Sequence, residues 1–231
     1  MPERPFRYRV RVHPRARRIL IRVTPGDGVV VTVPPRLPRR TLEAALSWQQ
    51  DWILEQLEQQ AGQREALARV PDRLELAASE ECHAIHWQKA GGRPALHTDQ
   101  GLEVIAPDAA TAHRLLGRFV RERARDWLPP RLYWLAERHG LRPTGCTIRR
   151  QKSRWGSCSS RGHISLNDRL MFLPPALVDH VLLHELAHLE YPHHGPAFHR
   201  LLERLDPDAR RHAQALRHAG EHIPAWLPNR L

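Results

Sequence analysis

Two histidines and a glutamate near residue 185 form a pattern that suits metal-assisted hydrolysis. The segment reads His184-Glu185-Leu186-Ala187-His188 and lies in an apolar run. Histidines four residues apart lie one turn apart on the same face of a helix, so both can bind one ion. The glutamate between them would lie beside that ion, where it can take a proton from water. The pattern makes a zinc hydrolase the leading hypothesis.

A third metal ligand has to come from beyond this helix, and two adjacent histidines are candidates. His193 and His194 follow Pro192, which is expected to end the helix and let the chain fold back. Local geometry allows either of them. His180 lies one turn before His184, about 6 Å further along the axis, which is too far to share a tetrahedral site with both His188 and a ligand from the returning chain. Three neutral imidazoles would leave a fourth position open to water, as in catalytic zinc sites.

The rest of the chain predicts an α+β fold that positions this segment. Apolar periodicity and turn residues predict the following elements: strands at 6–12, 18–23 and 29–33 with a hairpin turn at 25–28, one helix at 41–68, short strands within 73–106, a helix at 109–139 broken or kinked at Pro129-Pro130, strands near 146–154 and 163–166, and helices starting near 175, 196 and 207. The turn-rich segment 155–162 is predicted to be a connection. Residues 1–106 are therefore interpreted as an N-terminal strand-rich region with one helix, and residues 107–231 as the metallohydrolase domain.

Composition excludes some classes of protein and suggests a charged partner. The chain has 231 residues, and no apolar run approaches the length of a membrane span. The start of the sequence lacks an apolar signal core, which predicts a cytoplasmic protein. Three cysteines without a C-x-x-C pair argue against a cysteine zinc site. The net charge of +11 predicts attraction to nucleic acid or nucleotides, although no binding stripe is visible in the sequence.

Residues from about Ile148 to Leu205 resemble the YgjP-like metallopeptidase family, which is related to the SprT-like zincins. The resemblance depends on three segments: Lys152-Ser153-Arg154-Trp155-Gly156-Ser157-Cys158-Ser159, then Ile164-Ser165-Leu166-Asn167 leading to Leu170, and then His184-Glu185-Leu186-Ala187-His188 with His194 and Phe198. It implies that His184, His188 and His194 bind Zn²⁺ and that Glu185 is the catalytic acid and base. It also implies a zincin-like α+β domain with a small sheet packed on the active-site helix, and a peptide or protein substrate.

Four further residues are candidates for binding substrate. A strand at Gly156 that borders the cleft could pair with an extended peptide, since glycine permits close backbone approach. Trp155 could form a wall of the pocket or anchor the strand in the core. Arg154 could bind an anionic group, and Tyr191 could stabilise an oxyanion because it immediately precedes the turn to the third ligand.

Two other functions remain open on the sequence alone. A metal-dependent nucleotide phosphohydrolase of the pyrophosphatase type would also suit a metal-activated water beside arginines, although no Gly-rich phosphate loop is present. A nucleic-acid-associated protein with a structural zinc would suit the positive charge, but an open coordination position and Glu185 argue against it. The sequence does not indicate the oligomeric state.

Overall fold

The computed structural model describes residues 5–24, 28–98, 101–151 and 153–227. The predicted hairpin turn at 25–27 and the motif residue Lys152 lie outside these ranges. The chain divides into two compact units, Met1–Arg69 and Val70–Leu231. Among the described residues, no helix combines the length and the apolar character needed to cross a membrane.

The first unit is a three-stranded sheet covered on one face by two helices. Its elements are β1 (Tyr8–Val12), β2 (Leu20–Thr24), β3 (Gly28–Val33), α1 (Arg39–Trp48) and α2 (Gln50–Ala68). The central strand β3 pairs in parallel with β1 and antiparallel with β2. Alternate residues of β3, namely Val29, Val31 and Val33, are buried against Leu46 of α1 and Ile53 of α2. This unit therefore has a small apolar core of its own.

The prediction of one helix in this N-terminal region was wrong in detail. The chain forms α1 and α2, separated at Gln49, whose backbone leaves the helical conformation with φ −98° and ψ 9°. Its N–H still donates to carbonyls of the preceding turn, so the apolar period runs on across the break. The pattern of apolar residues therefore looks like one long helix in the sequence.

The second unit begins with a four-stranded sheet. Its strands are β4 (Arg73–Leu76), β5 (Glu81–Lys89), β6 (Ala95–His97) and β7 (Leu102–Ala106), in the order β4-β5-β7-β6. The predicted boundary at residue 106 falls between this sheet and the helix that follows, whereas contacts between residues put the sheet and that helix in one unit. Apolar residues of β7 and the helix share one core, because Leu102 and Val104 lie in the same buried cluster as Leu116 and Val120.

A long helix, α3 (Ala109–Arg138), runs through this core without interruption. The Asp108 carboxylate caps its start by accepting a hydrogen bond from the Thr111 N–H, at 2.6 Å. Pro129 and Pro130 lie inside the helix and do not end it, contrary to one of the predicted alternatives. Each proline removes one backbone hydrogen bond, but the apolar residues on either side of the pair are fully buried and hold the helix in place.

The remaining elements build the segment that contains the histidine motif. They are β8 (Gly145–Arg149), β9 (Gly156–Cys158), β10 (His163–Asn167), α4 (Pro175–Ala187), α5 (Pro196–Leu205) and α6 (Ala209–Leu216). The three strands form a sheet in the order β8-β10-β9, so β9 is an edge strand. The segment 155–162, predicted to be a turn-rich connection in which Gly156 could lie on a strand, thus contains the strand β9. Helices and small sheets together are consistent with the predicted α+β class.

Candidate metal centre

Helix α4 positions His184 and, at its C-cap, His188. The helix is stabilised by prolines at its start and by a buried apolar face. Pro174 and Pro175 begin the helix, where a missing N–H costs nothing. Leu182 and Leu186 are fully buried. On its outer side, Asp179 accepts two hydrogen bonds from the guanidinium of Arg131 on α3, at 2.6 and 2.8 Å. These contacts fix the helix on which His184 and Glu185 lie.

Three imidazoles converge beside the end of this helix. The histidines are His184 on α4, His188 at its C-cap and His194 in the turn before α5. One nitrogen from each lies within 4.8 Å of the others, and the Nε2 atoms of His184 and His194 are 3.1 Å apart. His194, rather than the adjacent His193, belongs to this group. The loop that begins at the end of α4 folds back as the proline at position 192 suggested.

The geometry of the three rings fits a zinc ion. Tetrahedral coordination with Zn–N bonds of about 2.0–2.1 Å places ligand nitrogens about 3.3–3.4 Å apart, close to the 3.1 Å between the Nε2 atoms of His184 and His194. The Nδ1–H of His188 donates to the Tyr191 carbonyl at 3.0 Å, so its Nε2 is left for an ion. Burial, together with the nearby His188 and His194 rings, lowers the pKa of His184 to about 3. Burial also lowers the pKa of His194. The rings of His184 and His194 are therefore neutral at pH 7, and each can offer a nitrogen lone pair to a metal ion.

A single aromatic ring supports all three histidines from α5. Phe198 is completely buried, and its ring centroid lies 5.0, 4.6 and 4.8 Å from those of His184, His188 and His194. Contacts of this kind restrict the rotation of each imidazole. Phe198 was part of the sequence motif, but nothing in its spacing indicated that it would contact the whole cluster.

Glu185 is buried and packs against the edge strand β9. Its side chain is 6% exposed, and burial raises its pKa to about 7, against the positive charge of Arg154 and a hydrogen bond from the Cys158 backbone N–H. A Cβ atom built on Gly156 would lie 2.7 Å from both Cγ and Oε1 of Glu185. Only glycine at this position allows the strand to approach the carboxylate so closely.

The free edge of β9 borders the same carboxylate. The N–H of Asn167 donates to the Trp155 carbonyl and the N–H of Ser159 donates to the His163 carbonyl, both at 2.9 Å. Since hydrogen-bonded residues alternate along an antiparallel strand, the backbone groups of Gly156 and Cys158 point away from β10. The Cys158 N–H accordingly reaches Glu185.

A buried asparagine holds the loop that leads into β9. The Asn167 side chain is inaccessible to solvent, and its amide Nδ2 donates to the carbonyls of Gln151 and Arg154 at 3.0 and 2.8 Å. Its Oδ1 accepts a hydrogen bond from the Arg169 N–H. Asn167 therefore sets the course of the backbone at Arg154. A polar residue in an apolar strand is the sequence signal that could have identified this role.

The four proposed substrate-binding residues occupy different places. Arg154 and Gly156 line a cavity of about 560 Å³ in front of the three histidines, with the following described residues completing its lining: Ser157, Cys158, Ser159, Ser160, Gly162, His184, Glu185, His188, Leu189, Pro192 and His194. Trp155 is half-buried and packs against the hydrophobic core, outside this lining. Tyr191 contributes its backbone carbonyl to His188, while its side chain is exposed.

A second histidine cluster lies behind α4 and has a structural explanation. Asp206 Oδ2 accepts hydrogen bonds from Nδ1 of His180, at 2.6 Å, and from Nδ1 of His212, at 2.9 Å. Burial alone would raise the pKa of Asp206, but these two hydrogen bonds lower it overall. His180 is buried and separate from the three-histidine cluster, as its spacing predicted. The network ties α4 to the segment between α5 and α6.

Comparisons with known proteins identify a family. No significant match was found among curated proteins or among solved structures. A family model described as YgjP-like, metallopeptidase domain, matches residues 17–219. The matched span includes the three histidines, Glu185 and β9. Because the match covers most of the chain, the protein belongs to the YgjP-like family of metallopeptidase domains.

Proposed function

We propose that this protein is a zinc-dependent peptidase with a zincin-like catalytic domain. The family supports a hydrolase that uses a divalent metal. The observation that carries the more specific proposal is the placement of Glu185 between a three-histidine cluster and the free edge of β9. Metal ligands, a proton acceptor and a backbone edge then border one cavity.

His184, His188 and His194 would hold the ion through three neutral nitrogens. A bound zinc ion with an open coordination position supplies Lewis acidity, which polarises a carbonyl group and makes a water molecule more acidic. The chain's contribution is to keep the three rings oriented. Phe198 packs against all of them, and the Tyr191 carbonyl fixes the tautomer of His188.

Glu185 would move the proton that hydrolysis requires. Its carboxylate takes a proton from the water molecule that adds to the scissile carbonyl carbon, and it returns that proton to the leaving amine as the C–N bond breaks. The Cys158 N–H and the approach allowed by Gly156 hold the carboxylate in position for both transfers. No other described carboxylate lines this cavity.

A peptide suits the cavity better than a nucleotide does. An extended peptide can pair with the Gly156 N–H and C=O and with the Cys158 C=O, which point away from β10, while the Cys158 N–H stays with Glu185. A triphosphate, in contrast, needs several cationic groups, and Arg154 is the only lysine or arginine among the described residues that line the cavity. Arg154 would contact an acidic side chain or the carbonyl oxygen of a bound peptide.

The decisive experiment compares substrates on the zinc-loaded full-length protein. Hydrolysis of an unfolded protein such as casein is measured beside hydrolysis of the four nucleoside triphosphates. We expect casein cleavage that is lost in Glu185→Gln, with zinc content unchanged. Nucleotide turnover without casein cleavage, also lost in Glu185→Gln, would refute the peptidase proposal in favour of the phosphohydrolase. Zinc binding with neither activity would leave a structural zinc as the better explanation.

A matched pair of variants tests the third ligand. His194→Ala should reduce zinc content to well below one ion per chain, because it removes one of three nitrogens. His193→Ala changes the adjacent exposed histidine and should keep one zinc per chain. Metal analysis of both proteins after dialysis decides the matter. The reverse result would overturn the assignment of His194.

A further inference from the structure

Positive charge in the first unit is concentrated in its first 40 residues, mostly on the sheet and the loops beside it, with Arg39 and Arg40 at the start of α1. Between residues 5 and 40 there are ten arginines and a single acidic residue, Asp27. All ten arginines are exposed; they are Arg7, Arg9, Arg11, Arg15, Arg17, Arg18, Arg22, Arg36, Arg39 and Arg40. The acidic residues with described side chains in this unit lie on the helices, at Glu43, Asp51, Glu55 and Glu58. Taken together, the strands β1, β2 and β3 thus contain arginines but no described acidic side chain.

The strand register places three of these arginines on one face of the sheet. Arg9 on β1 and Arg22 on β2 both lie opposite Val30 of β3, so the three residues form one row across the sheet. Arg11 lies two residues further along β1, on the same face as Arg9. We call this surface the arginine face and define it by Arg9, Arg11 and Arg22.

The arginine face is the side of the sheet that the two helices leave open. Helices α1 and α2 pack on the opposite face, where Val29, Val31 and Val33 are buried. The Cα atoms of Arg9 and Arg11 on β1 are separated by about 6–7 Å, twice the rise per residue of a strand. The Cα atoms of Arg9 on β1 and Arg22 on β2 are separated by about 9–10 Å, because two strand spacings lie between them.

Three arginines on one open face of a sheet complement the negative charge of a chain of phosphates. Guanidinium binds a phosphate through two parallel hydrogen bonds, with a geometry that a lysine ammonium lacks. Neutralising several phosphates also releases condensed counterions, which favours binding. No Phe, Tyr or Trp lies on this face of β1, β2 or β3 among the described residues, because Tyr8 is on the helix side. Base stacking is therefore absent from the expected contacts.

We infer that the arginine face binds the phosphate backbone of a nucleic acid without sequence preference. This function is separate from the proposed peptidase activity and does not depend on it. Charge complementarity favours a phosphate chain, in which each phosphate can accept two hydrogen bonds from one guanidinium. An anionic lipid surface is the competing partner, because basic residues are attracted to it as well.

The test measures binding of the full-length protein to labelled oligonucleotides. Fluorescence anisotropy is recorded with a single-stranded 20-mer, the corresponding duplex and a 20-mer of different sequence, over a range of salt concentrations. For single strands, each phosphate contact contributes about −0.7 to the slope of log K against log salt. The Arg9→Gln, Arg11→Gln, Arg22→Gln triple variant should reduce this slope by about 2 and weaken binding by about 50-fold at 150 mM salt.

Two further variants separate the arginine face from net charge and from folding. Arg118→Gln, Arg125→Gln, Arg142→Gln removes three exposed arginines from the second unit, with the same loss of charge, and should change affinity less than threefold. The Arg9→Lys, Arg11→Lys, Arg22→Lys variant, called the lysine variant, retains the charge. It should retain most of the slope of log K against log salt. The inference is wrong if the control triple variant weakens binding as much as the face variant, or if the lysine variant binds as poorly as the glutamine variant.

A vesicle assay addresses the competing partner. Vesicles containing phosphatidylserine are titrated with wild type and with the glutamine variant at the same salt concentrations. We expect oligonucleotide binding to be tighter and to depend more strongly on the three arginines. Vesicle binding that exceeds oligonucleotide binding, and is lost in the glutamine variant, would reassign the arginine face to an anionic membrane.

Discussion

Adding one methyl group to Gly156 should impair hydrolysis without disturbing the metal ligands. In Gly156→Ala the new Cβ would lie 2.7 Å from Cγ and Oε1 of Glu185 and 2.9 Å from its Cδ. To reach an ordinary contact of about 3.5 Å, the Glu185 side chain would have to move by roughly 0.8 Å. The φ angle of Gly156 is not in the left-handed region, so alanine is compatible with the backbone. The effect should therefore come from the displaced carboxylate.

The expected loss follows from the size of this movement. A misplacement of about 1 Å in a catalytic arrangement can cost about 100-fold in rate, so we expect kcat/KM to fall by about 10- to 100-fold. The assay is casein hydrolysis by the zinc-loaded protein, with zinc content measured on the same sample. Zinc should remain at the wild-type level because the three atoms nearest to the new methyl group all belong to Glu185 and none to a histidine.

Gly91→Ala is the matched control, since a Cβ at that position would meet no atom within 4 Å. It should have wild-type activity and zinc content. If Gly156→Ala keeps its activity within about threefold of wild type, with normal zinc, the position of Glu185 does not limit the reaction in the way proposed. Loss of zinc in Gly156→Ala would equally contradict the separation of carboxylate and ligands.

Three further predictions concern the groups that support the site and the fold. Phe198→Ala removes a fully buried ring, so the free energy of unfolding measured in urea should fall by about 3–5 kcal/mol. Zinc binding should weaken as well. Unchanged stability would contradict the packing described. Asn167→Ala leaves the Gln151 and Arg154 carbonyls without their donor and should cost about 1–3 kcal/mol, measured against the Asn167→Asp variant. The hydrogen bond from Arg123 lowers the pKa of Glu81 to about 2. This carboxylate therefore stabilises the fold above pH 4.5 and loses that effect as the pH falls toward 2. Glu81→Gln should lower Tm at pH 7 by about 2–4 °C, the shift that about 1 kcal/mol produces in a chain of this size. The difference should shrink at pH 2–3, and a gap independent of pH would refute the ionic origin.

The histidine motif and most elements could be predicted because their causes are local. An apolar run opened by Pro174-Pro175 makes a helix, and spacing by four residues puts His184 and His188 on one face. The strands of the first unit follow from alternation, which the buried residues of β3 confirm. Two predicted boundaries failed, one for a local reason and one because of tertiary packing. The break at Gln49 interrupts no apolar period, and the prolines of α3 end a helix only when no packing restrains it.

Other features depended on residues that are distant in the chain. Spacing alone left His193 and His194 equally possible, and only the folded loop brings the Nε2 of His194 to 3.1 Å from that of His184. Local propensity in the segment 155–162 favours turns and does not by itself predict the strand β9. The strand forms because its pairing with β10 supplies backbone hydrogen bonds.

The amino-acid sequence by itself indicated the metal chemistry proposed for this protein, because two proposed ligands and a proposed proton acceptor lie within one helical turn and a half. The tertiary structure decided what surrounds that chemistry. It placed the edge of β9 against Glu185, set Phe198 against all three histidines, and gathered three arginines from two strands onto one open face. The physical reason is the range of the interactions. Spacing along a helix acts over a few residues, whereas strand pairing and packing join residues that are far apart in the chain.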